Sequence, residues 1–432
     1  MMEDGCFKRI NKTSIILLLT SNKKNMILKK SELIDGKNIQ ITGSKSISNR
    51  LLILGKLFGN IDMLNLSNSQ DTTLLKKALE SDSETIDIHH AGTAMRFLTS
   101  YYSIFEGKKT ILTGSDRMKN RPIKPLVDAL QSLGADITYL EKEGYPPLQI
   151  IGKKIEKDSV KISANVSSQF LTSLILIGGK LENGLTLELE GEITSRPYFE
   201  MTLKILNEIG IKSHFAENRI EIVSHKNYIR TEHYEVESDW SSASYFYSLC
   251  AIGRKSITLK SYHTLSLQGD SVIKEIYWKY FGINTVSDYA ENSISLLPEP
   301  NFEYPELITL DMNDCPDIAQ TLCVTATALK IPFVITGLHT LKVKETDRLV
   351  ALQNELLKIG GKTHITVDKI ESSEFIEPDD NIFIATYNDH RMAMAFAPFA
   401  LVKELNIENE DVVEKSYPEF WEDFRNVTQE TE

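Results

Sequence analysis

Short stretches of this 432-residue chain gather groups that hold anions or move protons. In GSKSISNR (43–50), Ser46 and Arg50 stand four residues apart, on one face of a helix, with Lys45 at its start. Arg96 follows Gly92 at the same spacing, and RMKNRPIK (117–124) supplies Arg117, Lys119, Arg121 and Lys124 just before a proline. SRPYFE brings Ser195, Arg196 and Tyr198, while VKETDR sets Lys344 and Arg348 one turn apart with Glu345 between them. YNDHRMAMAF opens an apolar stretch with Asp389, His390 and Arg391, and Asp317 follows Cys315-Pro316 at another helix start. Any one of these groups is compatible with a helix cap or a surface ion pair. Together they describe a cationic site that keeps two carboxylates, Asp317 and Glu345. Proton transfer on an anionic substrate requires that combination. A nucleotide P-loop fits poorly, because position 38 is Asn38 where its first glycine belongs and no Gly-Lys pair occurs in the loop.

The elements that must position these groups repeat. LVDALQSLGAD, LKILNEIGIKS, IKEIYWKYFGINT and LQNELLKIGGKT each show apolar residues at helical spacing ending in a glycine, a helix C-cap pattern. Their glycines, Gly134, Gly210, Gly282 and Gly360, recur at intervals of 76, 72 and 78 residues. A second set of helix starts, at Gly92, Ser167, Ser241 and Asp317, leads them by 42, 43, 41 and 43 residues. SKSISNRLLILG and NDHRMAMAFAPFAL complete that second set, and β-like runs such as KTILTG, LQIIG and LTLELEG lie between the helices. The chain therefore reads as six units of two helices and several strands, with the first and last abbreviated. The second-set helices are polar at the start and apolar afterwards, so they are buried with their amide donors facing inward. Dipoles contribute about 0.3–1 kcal/mol each and charge-assisted bonds about 1.5–3, so the basic side chains must supply most of the affinity.

The net charge of −12 argues against a general nucleic-acid or membrane-surface binder; an anion must be held by a local cluster. Cys6, Cys250, Cys315 and Cys323 have no metal or redox spacing, which points to reduced thiols in a cytoplasm. His89-His90 lacks metal-site companions, and no metal motif, Ser-His-Asp pattern or flavin or nicotinamide fingerprint is present. No metal and no cofactor are expected. Residues 1–25 read as an extension ahead of Met26, since the apolar run Ile15 to Leu19 is too short to span a membrane.

GSKSISNR, AGTAMRFL, RMKNRPI, SSQFLTSL, SRPYFE, VKETDRL, YNDHRMAMAF and EKSYPEFW resemble, in order and spacing, the 5-enolpyruvylshikimate-3-phosphate synthases, from about Met26 to Phe424. The resemblance implies an α/β fold, a two-domain inside-out α/β barrel of six βαβαββ units, three per domain. One domain would run from 45 to 237 and the other would combine 26–44 with 238–432, with the active site between them. It implies transfer of the enolpyruvyl group of phosphoenolpyruvate to the 5-hydroxyl of shikimate 3-phosphate by addition and elimination, releasing phosphate. Carried over by motif, shikimate 3-phosphate would meet Lys45, Ser46, Arg50, Ser167, Ser168, Gln169, Ser195, Asp317 and Lys344. Phosphoenolpyruvate would meet Lys45, Gly92, Arg121, Gln169, Arg348, Arg391 and Lys415. Asp317 would take the hydroxyl proton and Glu345 would protonate the methylene, with Lys45 and Lys415 stabilising phosphate charge. Glyphosate, by the same resemblance, would occupy the phosphoenolpyruvate site and reach toward Gly92. The partners implied are these small molecules, with neither nucleic acid nor membrane, and the protein is expected to be a cytoplasmic monomer. Two departures are His90 and Thr340, where the best-known members carry asparagine. The rivals are a UDP-N-acetylglucosamine enolpyruvyl transferase, whose cysteine loop has no counterpart at RMKNRPI, and an inactive anion-binding homologue.

Overall fold

The computed structural model describes residues 24–431 apart from 60, 165, 166, 192, 228 and 230, so most of the N-terminal extension, with Cys6, lies outside the described residues. Its α-helices are α1 (Lys45–Phe58), α2 (Gln70–Glu80), α3 (Gly92–Ser103), α4 (Lys124–Leu133), α5 (Ser168–Gly178) and α6 (Arg196–Glu208). They continue with α7 (Trp240–Gly253), α8 (Ile273–Phe281), α9 (Ala319–Ala328), α10 (Arg348–Lys358), α11 (His390–Phe396) and α12 (Phe420–Val427). Local signals set their ends. Asp239, Asp347 and Asp389 cap α7, α10 and α11 by accepting the amide hydrogens of Ser242, Val350 and Arg391. Gly134 and Gly282 end α4 and α8 in the left-handed region, at φ 112° and 63°.

One strand order recurs. Thr85–Asp87 runs parallel to Lys109–Thr113, which pairs antiparallel with Leu148–Ile151, and Asp136–Tyr139 closes the edge. Three other four-stranded sheets repeat this parallel–antiparallel–antiparallel order. Two units are reduced: among the described residues Ile61–Leu64 pairs only with Thr231–Glu235, and Leu405–Ile407 lies between Ile382–Ile384 and Met26–Leu28. These are the units opened by α1 and α11, the first and last of the six.

The helices starting each unit are inside and the sheets are outside. α1, α3 and α5 pack on one another, and α9 packs on both α7 and α11. The strands show one buried and one wetter face, as in Leu185–Glu190. Two separate apolar cores result. One contains Leu51, Phe97, Leu130, Leu174 and Phe199; the other contains Trp240, Phe246, Tyr277, Phe281, Phe396 and Phe420. The chain passes between them twice, at adjacent points, where Gly43 bridges Ser238 and the Ser44 amide donates to the Glu237 carbonyl at 2.8 Å. Gly43 is required there, since a Cβ would lie 1.7 Å from the Asn65 carbonyl oxygen. Among the described residues, no helix is long and apolar enough to cross a membrane.

Candidate active site

All six unit-opening helices begin at one cavity between the two cores. Its wall takes Lys45 and Ser46 from α1, Gly92 and Thr93 from α3, and Ser167, Ser168 and Gln169 from α5. The other core contributes Ser241 and Ser242 from α7, Asp317 from the turn before α9, and His390 and Arg391 from α11. Arg50, Arg121, Ser195, Lys344, Glu345 and Arg348 line it too, about 100 Å³ of space in all. The sequence-read residues are thus brought together, with Lys415 joining them through its contact with Glu345.

Arg348 organises the charges. Its buried guanidinium donates to three carboxylates: Nε to Asp389 Oδ2 at 2.7 Å, Nη1 to Asp317 Oδ1 at 3.0 Å and Nη2 to Glu345 Oε2 at 2.9 Å. Each of the last two has further cations. Asp317 Oδ2 accepts from Arg391 Nη2 at 3.1 Å, and Lys344 Nζ lies 3.5 Å from Oδ1. Glu345 Oε1 accepts from Lys415, with Arg121 Nη1 at 3.8 Å. Burial alone would raise both carboxyls. For Asp317 the opposing charges of Arg391, Lys344 and Arg348 outweigh it, and for Glu345 those of Lys415, Arg348 and Arg121 do, so both stay ionised. Arg348 itself is held protonated by Asp389, Glu345 and Asp317 against the cost of burial.

On the opposite wall Arg50 has no carboxylate partner among the described residues. Arg50 donates to Thr202 Oγ1 at 2.8 Å, the Ser46 carbonyl at 2.7 Å, Thr172 Oγ1 at 3.2 Å and the Tyr198 carbonyl at 2.9 Å, all neutral acceptors. Burial lowers its pKa to about 9. A buried guanidinium with no carboxylate is an unsatisfied charge that an entering anion would balance. Ser195 enters α6 in the left-handed region at φ 53°, and its amide donates to the Asn313 carbonyl of the other core at 3.2 Å. Lys45 lies 4.0 Å from the buried Asp71.

Some flagged groups lie elsewhere. Lys119 and Lys124 pair with Glu141 and Glu143, and Arg196 pairs with Glu200, all as surface ion pairs. Arg96 is buried beside the site and donates to the Gly92 and Pro122 carbonyls. His90 lines a neighbouring cavity with Arg117, Arg121 and Lys415, its Nδ1 2.6 Å from Ser115 Oγ. Thr340 lines a third cavity beside Lys344, with its hydroxyl unpartnered among the described residues. Sequence reasoning missed Asp71 and Asp270. Asp270 is buried, accepts from Tyr198 of the other core at 2.9 Å and from Ser241, and is raised to about 6 by burial and by Asp317. Both sit at starts of the second helix of a unit, α2 and α8, where Arg121, Ser195 and Lys344 also sit in theirs. Extending the repeat register to those starts would have found them. No cluster of three or more metal-ligating side chains occurs among the described residues.

The sequence profile of EPSP synthase (3-phosphoshikimate 1-carboxyvinyltransferase) matches residues 63–424. A 3-phosphoshikimate 1-carboxyvinyltransferase from Bacteroides fragilis (strain YCH46) is 44% identical, over 90% of this chain and 94% of that protein. One from Haemophilus influenzae (strain PittGG) is 37% identical, over 90% of this chain and 96% of its own. Among solved structures, the EPSP synthase from Acinetobacter baumannii superposes with a TM-score of 0.69 at 21% identity, covering 92% of this chain and 96% of the other.

Proposed function

The chain belongs to the EPSP synthase family of 3-phosphoshikimate 1-carboxyvinyltransferases, enzymes of the shikimate pathway, and we propose that its interdomain cavity performs the transfer from phosphoenolpyruvate to the 5-hydroxyl of shikimate 3-phosphate. The two cores would be two domains, 45–237 and 26–44 with 238–432, closing on the substrates. Shikimate 3-phosphate would lie along Ser167, Ser168, Ser195 and Lys344, with Arg50 balancing one of its anionic groups. Gln169 and Ser46 would fix its orientation. Phosphoenolpyruvate would lie against Arg121, Lys415, Arg391, Lys45 and the Gly92 backbone.

The observation that carries this reading is the single guanidinium of Arg348 tying Asp317 to Glu345, each with its own lysine. A carboxylate surrounded by cations is a weak base. When the substrates draw Lys344, Arg391 and Lys415 onto their own anionic groups, that restraint relaxes and the basicity of Asp317 and Glu345 rises. Asp317 then accepts the 5-hydroxyl proton as the oxygen attacks C2 of phosphoenolpyruvate, and Glu345 relays a proton from the Lys415 ammonium, which touches it and whose pKa burial lowers, to the methylene carbon. The tetrahedral adduct carries phosphate and the new ether on one carbon. Return of the methyl proton to Glu345 expels phosphate, whose charge Lys45, Lys415 and Arg121 stabilise in fixed positions.

A UDP-N-acetylglucosamine transferase is disfavoured because no described cysteine lines the cavity: Cys250, Cys315 and Cys323 are buried, with their thiols pushed up by burial. Free, buried thiols suit a reducing cytoplasm. Phosphate release with phosphoenolpyruvate plus shikimate 3-phosphate, run beside UDP-N-acetylglucosamine, tests the reading. Release only with the second acceptor, or with neither, would refute it.

A further inference from the structure

A second cavity, of about 370 Å³, adjoins the catalytic one and shares Arg121 and Glu345 with it. Its remaining wall includes His90, Arg117, Lys415, Asn388 and Asp411. It touches none of Ser167, Ser168, Ser195 or Lys344, which line a third cavity. The two side cavities share Arg121 but differ otherwise: the second reaches Lys415 and Glu345, and the third reaches the groups read for shikimate 3-phosphate.

We propose that the second cavity is a vestibule for small phosphorylated anions, through which phosphoenolpyruvate reaches the site and phosphate leaves, and that Arg117 is its attracting charge. The inference rests on the proposed function. Arg117 suits this role because it makes no ion pair that would cancel its charge among the described residues; its Nη1 donates to the Asn388 carbonyl of the other core at 3.2 Å. Lys415 and Arg121, further in, are drawn toward Glu345. His90 adds no charge at neutral pH: burial, then His89, Lys415 and Arg117, keep its imidazole below the ordinary range. Two carboxylates oppose Arg117 on this wall: Glu345, which is taken up by Arg348 and Lys415, and Asp411, which is exposed. A cleft lined by one dominant sign of charge concentrates ligands of the other sign, and salt screens that effect over about 10 Å at 0.1 M ionic strength.

The test compares kcat/KM for each substrate in the full-length wild type, Arg117→Gln and Asp411→Asn, at low and at high salt. At low ionic strength Arg117→Gln should lower kcat/KM for phosphoenolpyruvate about three- to fivefold and Asp411→Asn should raise it, with both differences fading at high salt. The value for shikimate 3-phosphate should stay within twofold of the wild type. Product inhibition by inorganic phosphate should weaken in Arg117→Gln. A loss that persists at high salt would assign Arg117 a structural role through Asn388 and overturn the proposal. Equal effects on both substrates, or an unchanged kcat/KM for phosphoenolpyruvate in both variants, would overturn it as well. Should Arg117→Gln fail to fold, Asp411→Asn alone decides, since its rise must appear. A wild type that does not turn these substrates over would instead refute the functional reading.

Discussion

Gly92 opens α3 at the edge of the cavity, and replacing it with alanine separates two roles for this residue. A glycine serving the backbone would occupy the left-handed region, but Gly92 is not among the positive-φ glycines of the chain. Alanine can adopt its conformation without strain. The obstacle is a side chain: a Cβ would lie 2.4 Å from Arg121 Nη1 and 3.0 Å from Cζ. Reaching an ordinary contact requires the guanidinium to retreat by about 1 Å. Arg121 borders the second cavity and has room to do so, so the fold should survive with its melting temperature almost unchanged. Binding should not. Arg121 would lose its alignment with phosphoenolpyruvate, and one charge-assisted hydrogen bond contributes about 1.5–3 kcal/mol, which is roughly 10- to 150-fold in affinity. Gly92→Ala should therefore raise the KM for phosphoenolpyruvate by about tenfold or more, leaving that for shikimate 3-phosphate within a few fold. Glyphosate, reaching closer to residue 92, meets the methyl as well as the displaced arginine, so its inhibition constant should rise further than the KM. Steady-state kinetics with phosphoenolpyruvate varied, with and without glyphosate, reads both numbers. A folded variant with both constants unchanged would refute the reasoning, and a parallel rise of the two would confine the effect to Arg121.

Asp317→Asn should cut turnover by about 10²–10⁴, the range for a general base, while shikimate 3-phosphate binding measured by calorimetry holds or tightens, because Arg348, Arg391 and Lys344 lose a competing carboxylate; a loss of affinity alone would end the base assignment. Asp317 and Glu345 have folded pKa values depressed below their ordinary 3.8 and 4.5, so their contribution is present above those values and is lost as pH falls below about 4. On acidification, thermal melts should drop steeply below pH 4; a drop that begins above pH 5 as pH is lowered would contradict the ion-pair account. Asp270 runs the other way: its folded value, about 6 against an ordinary 3.8, means that the native state prefers it protonated and loses stability as pH rises from 3.8 to 6. Asp270→Asn should then stabilise the protein by up to about 3 kcal/mol at pH 7 and by less than about 1 kcal/mol at pH 4; a gain of equal size at both would show that ionisation is not the cause.

The sequence disclosed the repeat because helix ends are local. Gly134 and Gly282 end their helices as any C-cap glycine does, and buried helices such as α3 and α5 announce themselves by lacking a polar face. Once six units were counted, convergence of their helix starts was a geometric consequence, and Lys45, Gly92, Gln169, Asp317 and Arg391 meet at one cavity. What could not be read was how the charges divide among themselves. VKETDR shows Glu345 beside Arg348, but nothing local says that Arg348 also binds Asp317 and Asp389, 31 and 41 positions away, or that Lys119 and Lys124 turn outward to Glu141 and Glu143, 22 and 19 positions away. Register helps even here. Asp71, Arg121, Ser195, Asp270, Lys344 and Lys415 all stand at or near the start of a unit's second helix, so the same periodicity that found the first ring of helix starts implies a second. Composition at those six positions is not uniform, and the non-uniformity is the chemistry: Asp71 stands 4.0 Å from Lys45, and Asp270 accepts from Tyr198 of the other core, where the other four positions carry cations or a serine. A repeat fold thus supplies equivalent places around a cleft, and the departures from equivalence decide which anion fits where.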